Sequence, residues 1–164
     1  MDQLQQAEKI AMQGELKDRA LDACFKQLTK WGVAVPQGEP LPLDFGIGEF
    51  DRIGLIEFWI ANEENAGYCG KYLFLFEGQA CPTHSHRSKH ETFFVVQGNI
   101  MLTVPGERHT LAAGGVLQIS PGIIHGFSAV RGPALVLELS TPCRPDDNEF
   151  VEPEIQRWLT KQLA

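Results

Sequence analysis

In the first third of the chain, Leu21, Cys24, Phe25, Leu28 and Trp31 recur at spacings of three and four, and Gly32 follows as a stop. That periodicity predicts helix over residues 2–31. Pro36, Gly38, Pro40 and Pro42 then crowd into seven residues, a density that neither a helix interior nor a central strand tolerates. From Phe50 the pattern changes to short runs rich in Val, Ile, Leu and Phe at 50–60, 71–77, 91–97, 99–104, 116–119, 124–130 and 134–140. Runs of this length between turn signals read as strands. Gly98-Asn99 and Pro105-Gly106 mark turns. Strands this short and evenly spaced predict a β-sandwich or a small jelly-roll barrel. Pro153 opens a closing helix whose apolar stripe is Ile155, Trp158 and Leu159. The expectation is an all-β core with an N-terminal helix and a short C-terminal helix. Residues 1–45, the helix and Pro-rich loop, pack on a barrel formed by residues 46–164.

Length and composition narrow the partners. With 164 residues, 43% of them hydrophobic and 10 Phe, the chain buries one real core and leaves no room for a second catalytic domain. A formal net charge of -7 argues against nucleic acid, whose binders carry a basic stripe. A small-molecule ligand is expected. The polar N-terminal segment lacks the apolar centre of a signal peptide and no run is long enough to span a bilayer, so the reading is cytoplasmic, with no membrane partner. Cys24, Cys69, Cys81 and Cys143 are scattered without a C-x-x-C pair, which fits buried thiols in a reducing compartment.

The histidines are unevenly used. Three of the five fall in two short segments, His84 and His86 followed by Glu91, and later His125 after Pro121 and Gly122. In extended backbone, residues two apart share a face, so His84 and His86 both point into a barrel lumen while Ser85 points away. Glu91 completes the site from across the sheet and His125 opens a later strand. Three neutral imidazoles and a carboxylate suit a divalent ion such as Mn2+, Fe2+, Co2+, Ni2+ or Zn2+. Four ligands on an ion that prefers six leave two positions for water or substrate. The same parity turns Lys89 toward Glu91's face and His90 away from it. Lys71 and Glu138 each interrupt an apolar strand, where a charge is costly without a partner. They satisfy each other as a buried pair or serve chemistry, and the residues alone leave both open.

Gly78, His84, His86, Glu91 and Gly98 match the first cupin motif, G-x5-H-x-H-x4-E-x6-G, at every position. The second motif is matched at Gly114, Pro121, Gly122 and His125, while Ser120 stands where proline is usual and Ala129 where asparagine is usual. Within the cupins, the chain resembles the D-lyxose isomerase family from about residue 21 to 155. The stretches that carry this are YCGK (68–71), LFEGQACP (75–82), KHETF (89–93) and ELST (138–141). The resemblance implies a cupin double-stranded β-helix, a homodimer, and a metal site of His84, His86, Glu91 and His125. It also implies that Lys71 and Lys89 line the site, that Glu138 is an acid-base group, and that Asp147 is a substrate contact.

The expected activity is therefore metal-dependent interconversion of an aldose and a ketose, of the D-lyxose/D-xylulose or D-mannose/D-fructose type. A proton moves between C1 and C2, with Lys89 and Glu138 as the candidate catalytic groups. The lysine's pKa is expected to fall beside a dication. No basic cluster suggests a phosphorylated substrate, so a free sugar is expected. Two other readings use the same ligands: an Fe(II) cupin dioxygenase, and a non-enzymatic metal- or small-molecule-binding cupin.

Overall fold

The computed structural model describes residues 3–164. Helices α1 (Gln3–Ile10) and α2 (Glu15–Trp31) lead into strands β1 (Leu41–Leu43), β2 (Leu55–Glu63), β3 (Tyr68–Leu75), β4 (Ala80–His86), β5 (Glu91–Gln97), β6 (Asn99–Val104), β7 (Glu107–Ala112), β8 (Val116–Ile119), β9 (His125–Ala129) and β10 (Ala134–Ser140). A 3-10 turn at Pro145–Asp147, strand β11 (Asn148–Phe150) and helix α3 (Pro153–Leu163) close the chain. The strands form a six-stranded sheet in the order β1-β2-β3-β10-β5-β8 and a five-stranded sheet in the order β11-β4-β9-β6-β7. Neighbours pair antiparallel throughout both sheets. This is the jelly-roll barrel expected from the strand spacing.

Two apolar clusters hold it. One lies between the sheets, where Leu73, Leu75, Phe93, Val95, Leu102 and Phe127 interdigitate. The other seals α2 against the outer face of the six-stranded sheet, with Cys24 and Leu28 packed on Ile56, Phe58, Phe74 and Leu135. Because side chains alternate along a strand, Leu73 and Leu75 enter the first cluster and Phe74 the second. Both faces of β3 are thus covered, which is why its second half, Tyr72 to Leu75, reads as a continuous apolar run. Removing such a strand's buried aromatic costs about 3–5 kcal/mol.

The structure corrects several expectations. The helix over 2–31 is two helices, and residue 2 lies outside the described residues. The break falls at Gly14, which has φ 78, and Met12 N–H donates to Pro42 O at 2.8 Å. Tertiary bonding to β1 therefore overrides continuous helical periodicity. Strand 50–60 begins only at Leu55. Strands β1, β7 and β11 were hidden by composition. β1 carries Pro42, tolerated because the strand is at a sheet edge, and β7 is polar because it is the opposite sheet's edge. The closing helix matches its prediction, with Ile155 and Leu159 buried. All four cysteines are free and buried. No helix among the described residues is long and apolar enough to cross a membrane.

Gly98 joins β5 to β6 with φ 78, and a Cβ there would collide with the Pro133 carbonyl oxygen. Gly14 has the same sign of φ but open space around it. Gly98→Ala is expected to lower stability by more than about 1 kcal/mol, and by more than Gly14→Ala, which adds backbone strain alone. Urea unfolding midpoints at unchanged slope measure the difference; equal losses would show that the contact with Pro133 is relieved at no cost.

Candidate metal centre and charged cavity

The three histidines come from the five-stranded sheet. His84 and His86 are two apart on β4 and both buried, and His84 is the direct cross-strand partner of His125 on β9. One ligand atom from each of the three lies within 4.8 Å of the others. His84 Nδ1 lies 2.8 Å from Pro82 O, and His125 Nδ1 lies 2.9 Å from Ile123 O. A carbonyl only accepts, so each Nδ1 carries the proton and each Nε2 keeps its lone pair free. Burial, followed by the neighbouring His125 and His86, holds the His84 pKa well below the ordinary value. The imidazole is thus kept neutral, as metal ligation requires.

Glu91 faces this cluster from the six-stranded sheet. Its Oε1 is 3.2 Å from His86 Nε2 and its Oε2 3.1 Å from His125 Nε2. Yet Glu91 Oε2, His86 Nε2 and His125 Nε2 are buried without an aligned hydrogen-bond partner. Leaving such atoms unsatisfied costs roughly 1–3 kcal/mol each. Three lone-pair atoms buried around one point fit a divalent cation, which would satisfy all of them at once. The donor set, imidazole nitrogen and carboxylate oxygen, suits a first-row divalent ion.

Beyond Glu91 the inner face of the six-stranded sheet carries a row of alternating charge. Lys89 Nζ is 2.8 Å from Glu91 Oε1 and 2.5 Å from Glu138 Oε1. Lys71 Nζ is 3.7 Å from Glu138 Oε2 and 2.8 Å from Glu57 Oε1. Trp59 Nε1 donates to Glu57 Oε2 at 2.8 Å, and Lys71 Nζ also approaches Cys143 Sγ at 3.7 Å. The row follows from register: Lys71 on β3 is opposite Glu138 on β10, and Ser140 on β10 is opposite Glu91 on β5. All five charged groups are buried.

Electrostatics within the row outweighs burial. Burial pulls the Lys89 ammonium toward neutrality, but Glu138 and Glu91 raise its pKa above the ordinary lysine value. Burial likewise opposes the charge on Lys71, while Cys143, Glu138 and Glu57 raise its pKa. Burial pushes Glu91 up, and Lys89 with the adjoining imidazoles more than reverses this. Among the protein's own groups, the direction at Lys89 is therefore opposite to the fall expected from the sequence. The reason is that two carboxylates bracket the ammonium.

Six of the eight site residues expected from sequence, His84, His86, Lys89, Glu91, Glu138 and Lys71, line one cavity. His125 stands against it through its contact with Glu91. The cavity is narrow, leaving about 60 Å³ for the centres of water-sized groups, and it opens to solvent at its mouth. Its apolar wall includes Leu43, Leu73, Phe93 and Phe127, and Phe150 and Trp158 also border it. Asp147 is placed differently from a lining group. Its carboxylate accepts Lys89 N–H at 3.1 Å and Ser88 N–H at 3.3 Å, and lies 3.6 Å from Arg87 Nε. It clamps the loop that carries Lys89. His90 has no place in the cavity lining. Glu57, Trp59 and Cys143 were missed, although Glu57 interrupts the apolar start of β2 as Lys71 and Glu138 interrupt their strands.

The two-sheet jelly-roll barrel and its buried three-histidine cluster are cupin-like, and the cluster suits a divalent metal. A cupin domain family model matches residues 74–140. The model of the D-lyxose isomerase family matches residues 42–104, which bears out the resemblance read from the motifs. The chain is 29% identical to the D-lyxose/D-mannose isomerase of Thermosediminibacter oceani over 163 aligned positions, covering 81% of this chain and 89% of that protein. It is 28% identical to the D-lyxose ketol-isomerase of Cohnella laeviribosi, covering 89% and 96%. Among solved structures, the L-ribose isomerase of Cellulomonas parahominis superposes with a TM-score of 0.75 at 17% identity, covering 95% of this chain and 98% of that one. That likeness extends the fold match to the helices outside the barrel.

His84→Ala and His125→Ala are each expected to abolish most Mn2+ binding while keeping the β-sheet circular dichroism. Elemental analysis after loading and desalting measures the metal. A melting curve accompanies it, because bound metal also raises apparent stability by mass action. Full stoichiometry in both variants would remove these imidazoles from the site.

Proposed function

We propose that this protein is a metal-dependent aldose–ketose isomerase acting on a free pentose or hexose of the D-lyxose or D-mannose type. The observation that carries the reading is the placement of Glu138 and two lysines in the cavity that the histidine cluster borders. The activities named for the Thermosediminibacter oceani and Cohnella laeviribosi proteins support it. In this reading His84, His86, Glu91 and His125 hold the ion, with Mn2+ the first choice. When bound, such an ion would supply Lewis-acid polarisation of a carbonyl and electrostatic stabilisation of developing negative charge.

The chain's own residues move the proton. Glu138 Oε1 is occupied by Lys89 and by Ser140 Oγ at 3.3 Å, whereas Oε2 has only the longer contact to Lys71. Oε2 is the oxygen free to take the proton from C2 and return it to C1. Lys89, held between Glu138 and Glu91, orients that carboxylate and, by giving a proton to O1 and taking one from O2, completes the exchange of carbonyl and hydroxyl. Lys71 binds a sugar hydroxyl farther along the cavity. Asp147 serves the substrate indirectly, by fixing the backbone of Lys89. The exposed apolar side chains Phe94, Val116 and Leu139 on the six-stranded sheet provide the surface for a homodimer. An oxygen-using cupin would employ the same ligands but leave the Lys–Glu row without a task.

Glu138→Gln is expected to lower isomerisation by roughly a hundredfold or more, the scale of a lost general base, with metal content unchanged. Lys89→Met should give a comparable loss. In deuterated water, solvent deuterium at C1 or C2 of the product reports proton transfer. Full activity in Glu138→Gln together with no label would defeat this mechanism, and oxygen uptake by the iron-loaded protein without sugar turnover would defeat the isomerase reading.

A further inference from the structure

Glu57 is a buried carboxylate to which neither the motifs nor the mechanism above gives a task. It lies on β2, separated from β5 and Glu91 by β3 and β10. Three inter-strand spacings of roughly 4.8 Å place it at the far side of the row from Glu91. It nevertheless lines the same cavity as Glu138 and the histidines. Its oxygens accept one bond from Lys71 and one from Trp59, half of the four or so that a carboxylate can take.

We propose that Glu57 is the specificity-determining residue of the cavity, pairing with Lys71 to bind the sugar's non-reacting hydroxyl end and excluding substrates that carry a phosphate there. The inference rests on the isomerase reading and assigns its substrate class. A hydroxyl both donates and accepts, and the Glu57–Lys71 pair offers an acceptor beside a donor. A phosphate only accepts at neutral pH and needs uncompensated positive charge.

The row supplies none. Lys71 lies between Glu57 and Glu138, and Lys89 between Glu138 and Glu91. With Glu91 turned to the metal site, the Lys71 end still sets two carboxylates, Glu57 and Glu138, against the one ammonium between them. The residues lining the cavity include no arginine. A phosphate at the Lys71 end would therefore meet the Glu57 carboxylate directly, and like charges brought together in a desolvated site are a strong means of rejection. Removing the charge of Glu57 leaves Lys71 with one carboxylate fewer and turns the same position toward anions.

The test compares D-mannose with D-mannose 6-phosphate on the Mn-loaded wild type and Glu57→Gln, with metal content measured in both. The variant is expected to raise KM for D-mannose several-fold. It should also shift the kcat/KM ratio toward the phosphorylated sugar by at least about tenfold, the scale of a lost charge clash. An unchanged ratio and KM would overturn the proposal. Should Glu57→Gln not fold, inhibition of wild-type D-lyxose turnover decides: mannitol should inhibit at least about tenfold better than mannitol 6-phosphate, and equal inhibition overturns it. A wild type that isomerises neither D-lyxose nor D-mannose refutes the isomerase reading itself, which separates that failure from this one.

Discussion

The structure depends on burying five charged side chains in a single alternating row. Glu57, Lys71, Glu138, Lys89 and Glu91 succeed one another across β2, β3, β10 and β5, each ammonium between two carboxylates. In a low-dielectric interior an isolated charge is prohibitive, and breaking a buried pair costs about 3–5 kcal/mol. Alternation is what makes the arrangement tolerable. It also couples the members, because removing any one of them changes the charge balance at its neighbours.

The row ends at Glu91, and there the second sheet becomes necessary. Glu91 is shared between Lys89 on one side and His86 and His125 on the other. The two sheets thus contribute different chemistry: imidazoles from the five-stranded sheet, carboxylates and Lys71 from the six-stranded one, with Lys89 on the loop that leads into β5. Their meeting line is where an ion can polarise a carbonyl within reach of a proton carrier. Apolar packing between the sheets keeps that line from shifting, and the cluster beneath α2 stiffens the strands that carry the row from behind. Asp147 adds a local constraint, tying the Lys89 backbone to the segment after β10.

The charge pattern also shapes the chemistry available. In the proposed mechanism a lysine held between two carboxylates serves as a fixed donor, and the base role passes to the carboxylate whose second oxygen is free. Under the same proposal the row presents a neutral sugar with paired donors and acceptors, while the two carboxylates around Lys71 disfavour an anionic one. Cavity polarity, and with it the proposed proton transfer and substrate class, traces to one arrangement.

Much of this was legible in the residues themselves. Strand spacing and turn glycines implied the barrel, because a period of two and a positive φ are local properties of the chain. The histidine spacing placed His84, His86 and Glu91 together for the same reason, since side-chain parity in extended backbone needs no tertiary information. Parity likewise turned Lys89 inward. What local pattern could not supply was the neighbour across the sheet. That Lys71 pairs with Glu57 as well as Glu138, that Asp147 clamps a loop, that helix 2–31 breaks at Gly14, and that polar β7 is a strand all depend on hydrogen-bond partners distant in sequence. Charge on a buried side chain is an energy of position, and only the folded strand order decides which opposite charge stands beside it.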